Sequence, residues 1–122
     1  LREIEDIHAC AERVNAQKAQ TVLTVCPAQP RRDDLVFVDA ASRVIAGVAP
    51  QGDSVLRGCT GGVYIIRVAH LLKTKKIIMN ETVSVLCPAW RSIDIDTSED
   101  WAVAETLFLR REEIKKQINH SL

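Results

Sequence analysis

Ile4, Ile7, Ala11 and Val14 recur at steps of three and four residues, the spacing of one face of an α-helix. They predict an amphipathic opening helix of about three turns. Asn15, Gln17 and Gln20 mark its polar end, and the period then changes. Thr21-Val22-Leu23-Thr24-Val25-Cys26 is short and β-branched, which predicts a buried strand that Pro27 stops. Pro30-Arg31-Arg32-Asp33-Asp34 reads as a charged loop. Leu35-Val36-Phe37-Val38 and the run from Arg43 to Val48 flank Asp39-Ala40-Ala41-Ser42, a pattern that suits a β-hairpin over residues 35–48. Pro50, Gly52, Asp53 and Gly58 predict a long loop from Ala49 to Cys59. Gly61 to Ile66 leads into a further strand. A short helix through His70, Leu71 and Leu72 follows, with Lys73, Lys75 and Lys76 at the end where cations suit the helix dipole. Thr82 to Cys87 reads as another strand. Thr97 and Asp100 have the form of a capping box opening a last helix, whose expected apolar face is Trp101, Ala104, Leu107 and Phe108. The tail from Arg110 alternates charges and either continues that helix or frays.

Helices alternating with short β-branched strands predict an α/β fold in one domain spanning residues 1–122. A hydrophobic content of 47% with 26% charged residues is that of a globular chain. Sixteen basic and sixteen acidic residues cancel, so the basic excess expected of a nucleic-acid binder is missing. The apolar runs are too short to span a bilayer, and no basic leader precedes an apolar run, so neither membrane nor export is expected. Cys10, Cys26, Cys59 and Cys87 form no C-x-x-C pair and have no histidine at zinc-ligand spacing. They read as reduced, buried thiols of a cytoplasmic protein.

The segment Ser92-Ile93-Asp94-Ile95-Asp96-Thr97 is the strongest chemical signal. Side chains two apart in an extended strand share a face, so Asp94 and Asp96 are expected to converge at a strand end just before a helix. Two such carboxylates can hold Mg²⁺, which neutralises nucleotide phosphates. The structural alternative is that acidic residues before a helix serve its free N–H groups and its dipole.

That segment, continued through Asp100-Trp101 and Ala104-Glu105, resembles the C-terminal signature of the acylneuraminate cytidylyltransferases, the CMP-sialic acid synthetases, and of relatives acting on pseudaminic and legionaminic acids. Gly61-x-x-Tyr64-Ile65 is similar to the Asn-Gly-x-x-Tyr-Ile segment of that family, with Thr60 in place of the asparagine. Leu1-Arg2 with Asp6-Ile7 is similar to its Pro-Leu-Arg-x-x-x-Asp-Ile segment. The three matches fall in the family's order. The family's Arg-x-Gly-Ser-Lys nucleotide loop would precede Leu1 and is not among these residues, so the likeness is to the C-terminal half of such an enzyme.

The resemblance implies a partial nucleotide-diphospho-sugar-transferase-like (Rossmann-like) sheet flanked by helices, with the hairpin at 35–48 as a dimerisation arm. It implies transfer of CMP from CTP to a sialic-type keto acid, with Asp94 and Asp96 as the catalytic metal ligands for Mg²⁺. It places Arg57, Arg32 and Gly61 as substrate-binding residues. A non-catalytic assembly module that keeps the fold is the alternative. An open edge strand left by half a sheet would favour a homo-oligomer.

Overall fold

A computed structural model describes residues 1–27, 35–45, 54–79 and 81–120. Ten elements follow in order: α1 (Ile4–Ala16), β1 (Thr21–Pro27), β2 (Leu35–Val38), β3 (Val44–Ile45), β4 (Val55–Ile66), α2 (Val68–Thr74), β5 (Val83–Leu86), a 3-10 turn (Ala89–Arg91), α3 (Ser98–Leu109) and α4 (Arg111–His120). The fold is α/β, a mixed five-stranded sheet with flanking helices.

The strands lie in the order β3-β2-β4-β1-β5. Among the described residues only β1 and β5 run parallel; the other pairs are antiparallel. The sheet also curls until its ends meet. Arg43 bridges Val83 in an antiparallel sense. The Val44 N–H donates to the Thr82 carbonyl, and the Ser84 N–H donates to the Ser42 carbonyl at 2.7 Å. The edge of β5 is therefore occupied at Thr82 and Ser84 by the hairpin, so at these positions it is not open to a second chain.

Strand β1 explains the rest of the packing. Every residue from Thr21 to Cys26 is buried, a continuous run of the kind seen where both faces of a strand are covered. Inside the curl, Leu23 and Val25 pack with Val44 and Cys59, and with half-buried Val36 and Ile78. On the outer face Val22 packs with Cys10, Ala19 and Val83 beneath α1. Arg67 ties this layer together: its side chain donates to the carbonyls of Ala19 (3.0 Å) and Val14 (3.1 Å), and its backbone N–H to that of Gln20 (2.9 Å).

Three expectations change. First, the buried stripe of α1 is Asp6-Cys10-Val14, while Ile4 and Ile7 are 62% and 48% exposed. A carboxylate replaces an isoleucine on the inner face because Arg91 meets it there. Second, the loop expected up to Cys59 ends earlier. Residues 55–58 pair with β2, and Gly58 lies between Leu35 and Cys26, where both neighbouring strands satisfy its backbone. Third, of the expected apolar face of α3 only Ala104 is buried; Trp101 is 60% exposed and Phe108 is 50% exposed. Helix α3 packs on α4 rather than lying on the sheet, and α4 is a separate helix that returns to α1 through a 2.9 Å ion pair between Lys115 and Glu3.

The hairpin at 35–45 is present, closed by Asp39, whose carboxylate accepts the N–H groups of Ala41 and Arg43; residues 46–48 lie outside the described residues. All four cysteines are buried thiols outside any disulfide. Among the described residues no helix is long and apolar enough to cross a membrane. Leu23→Ala should cost about 2–5 kcal/mol, since it empties the inside of the curl where nothing else can collapse into the gap. Urea denaturation followed by circular dichroism would read the loss.

Candidate functional site

Strand β4 does not pair evenly along β1. Leu23 faces Tyr64 and Val25 faces Cys59, so residues 60–63 of β4 stand opposite Thr24 alone. The extra residues bulge outward around the Thr24 side chain. Its hydroxyl accepts the Val63 N–H at 3.1 Å and is hydrogen-bonded to the Thr60 hydroxyl, which in turn accepts the Gly62 N–H at 3.0 Å. Gly61 turns the bulge with φ at +65°, a conformation that costs any residue with a Cβ. At Gly62 an added methyl would meet the two threonine hydroxyls at 3.0 and 3.3 Å.

This bulge is one wall of a cleft of about 470 Å³. The segment 91–95 is another wall, and Leu1 and Arg2 ahead of α1 and Asp6 on it add to the lining. That segment does not form the strand expected of it. Strand β5 ends at Leu86, Pro88 has no N–H to continue the ladder, and the 3-10 turn redirects the chain. Residues 92–96 then run irregularly to α3.

Charge in the cleft is organised by Asp6. Its carboxylate pairs with Arg91 and accepts the Glu3 N–H at 3.1 Å and the Cys87 thiol at 3.4 Å. Burial alone would raise its pKa. The hydrogen bonds from Arg91 and Glu3, the Arg91 charge and the thiol outweigh burial and hold it below the ordinary 3.8. The nearby thiols move the other way. Cys87 is pushed up to about 12 and Cys10 to about 11, by burial first and the Asp6 charge second, so both stay protonated and unreactive.

Of the residues singled out from the sequence, Gly61 and Asp94 line this cleft. Asp96 is exposed one residue before the N-cap of α3, and its backbone N–H donates to Asp100 at 3.2 Å. The capping box is formed: the Thr97 hydroxyl accepts the Asp100 N–H, and the Asp100 carboxylate accepts the Thr97 N–H at 2.9 Å. Arg57 is half-buried in β4 and lines a separate cavity of about 220 Å³ with Arg13 and Ser84. Arg32 lies outside the described residues. Thr24, Thr60 and Arg91 were not anticipated. Their roles depend on partners far along the chain, although a buried-face Asp6 four residues before Cys10 is a local hint of a partnered charge.

Among the described residues no group of three or more His, Cys, Asp or Glu side chains could enclose a metal ion. Asp94 and Asp96 are both exposed, and of the two only Asp94 lines the cleft. Compared with known proteins, the chain matches no family model and no curated sequence.

Two outcomes check this geometry. Gly61→Ala should cost about 1–2 kcal/mol despite the open space beside it, and Gly61→Asn less, because asparagine tolerates the left-handed conformation; thermal unfolding of both variants measures the order. A carboxylate with a depressed pKa contributes stability that is complete above its unfolded value and is lost as pH falls through its folded value. The stability gap between wild type and Asp6→Asn should therefore be constant at neutral pH and shrink below 3.8, as urea midpoints across pH 2–6 would show.

Proposed function

We propose that the chain is related to the acylneuraminate cytidylyltransferases and that the 470 Å³ cleft belongs to a site transferring CMP from CTP to a nonulosonic acid. One observation carries the reading. The three stretches that resemble the family are far apart in sequence, yet Leu1-Arg2 with Asp6, Gly61 and 92–95 all line this one cleft. Chance likenesses have no reason to converge on a common cavity.

In this reading Asp94 and Asp96 hold a nucleotide-borne Mg²⁺, which when bound offsets charge on the phosphates. Gly61 lets a ligand approach the backbone closely. Arg2 supplies positive charge within the cleft; Arg32, outside the described residues, remains a proposed contact for the acid sugar, whereas Arg57 lines a separate cavity and is not one of this cleft's residues. The parallel β1–β5 pair with α1 packed on it supports a partial nucleotide-diphospho-sugar-transferase-like (Rossmann-like) sheet as the finer description of the fold. Four cysteines outside any disulfide support a cytoplasmic setting.

A second reading has its own support. Trp101, Val103, Phe108 and Leu109 of α3 are each half or more exposed, and large exposed apolar patches mark interaction surfaces. This favours an assembly module without turnover, in a homo-oligomer or with another chain.

Amide spectra recorded with Mg²⁺, CTP and N-acetylneuraminate separate the two. The first reading expects Mg²⁺- and CTP-dependent shifts at Gly61, Gly62 and residues 92–96, lost in Asp94→Asn and Asp96→Asn. A folded protein whose cleft amides do not move would sink it in favour of the assembly module.

A further inference from the structure

We propose that Asp6 is a positioning residue for Asp94, acting through Arg91. The proposal rests on the reading of Asp94 as a metal-binding carboxylate. Residues 92–96 belong to no helix or strand, and hydrogen bonds hold the segment at each end. The C-terminal grip is local. The Asp100 carboxylate holds the N–H groups of Asp96 and Thr97, within four residues, and forms whenever α3 forms. It fixes the segment to its own helix and says nothing about where that helix lies.

The N-terminal grip is long-range. Ser92 is 5% exposed, its hydroxyl donating to the Pro88 carbonyl at 3.0 Å and its N–H to the Ala89 carbonyl at 3.0 Å, which closes the 3-10 turn into a compact unit. Arg91 then ties that unit to Asp6, 85 residues earlier in the chain. Asp6 is itself fixed. It stands on α1, its carboxylate takes the Glu3 N–H, and α1 is packed on the outer face of β1. Strand β1 also carries Thr24, around which the Gly61 wall is folded. The path Asp94–Arg91–Asp6–α1–β1–Thr24–Gly61 therefore runs from one wall of the cleft to the other. The Asp6–Arg91 pair is the charged link in that path.

The pair is not an ordinary surface bridge. Its side chains are 11% and 13% exposed, so loss of either charge leaves the other poorly solvated. A charge-assisted guanidinium–carboxylate bond also fixes direction, which a neutral amide does more weakly. Asp6→Asn should therefore loosen the segment that bears Asp94 while the curled sheet stays intact. Replacing both partners, as Asp6→Leu with Arg91→Leu, removes the link without leaving a buried charge, and guards against the single variant failing to fold.

The experiment uses Mn²⁺ as a paramagnetic probe and backbone ¹⁵N order parameters without metal, on wild type, Asp6→Asn and the double leucine variant. The proposal expects order parameters of residues 93–95 to fall from the rigid range of about 0.85 toward about 0.6 in both variants, with β1 unchanged. It expects the Mn²⁺ concentration that broadens the Asp94 and Asp96 amides to rise about tenfold, the usual loss when a supporting partner of a metal ligand is removed. Folded variants with a rigid segment, or with loosened residues but unchanged Mn²⁺ broadening, would overturn it and leave Asp6 a stability residue only. A wild-type protein that Mn²⁺ does not broaden would overturn the metal reading of Asp94, and the positioning role is then decided by the order parameters.

Discussion

Strand β1 must be covered on both faces, and nearly everything else in the fold follows from that constraint. Its buried run from Thr21 to Cys26 holds no charge and offers neither face to water. One face takes α1. The other can be covered only if the sheet turns back over it, and the hairpin β2–β3 reaches β5 to do so. The curl follows from an α/β chain that has helix on one side of its central strand and must use its own sheet for the other. The inner cluster of Leu23, Val25, Val44 and Cys59 is the product.

The cleft is built at the places where this arrangement is least regular. β4 bulges around Thr24 because Thr24 turns a hydroxyl toward it, and that hydroxyl is satisfied by the bulged backbone itself. On the facing side, Pro88 ends the β5 ladder and a 3-10 turn lifts the chain away. Bulges and ladder ends re-aim side chains near functional sites. Here they leave a cavity lined both by the Asp6–Arg91 ion pair and by Asp94.

The cytidylyltransferase reading and the assembly reading draw on different parts of the molecule. The first depends on the convergence of three dispersed segments on one cleft. The second depends on α3, which is apolar on much of its surface yet touches mainly α4. The thiols lend support to neither, because burial and the Asp6 charge keep Cys10 and Cys87 inert.

What the sequence determined by itself was the local chemistry. The β1 run, the Asp39 turn, the Thr97–Asp100 cap and the change of period from helix to strand each depend on residues close together in the chain, and each is present. Local pattern also misled where a distant partner changes the energetics. Ile4 and Ile7 looked like the inner face of α1, but Arg91 makes Asp6 the buried residue there. Val55 to Gly58 looked like loop because glycine and proline punctuate the region, but two neighbouring strands recruit it. The grouping of Gly61 with Asp94, and the separation of Arg57 from both, could be decided only by the fold. Spacing along a chain fixes which side chains share a helix face or a strand face; it carries no information on which strands become neighbours, because that is settled by how the whole chain covers β1.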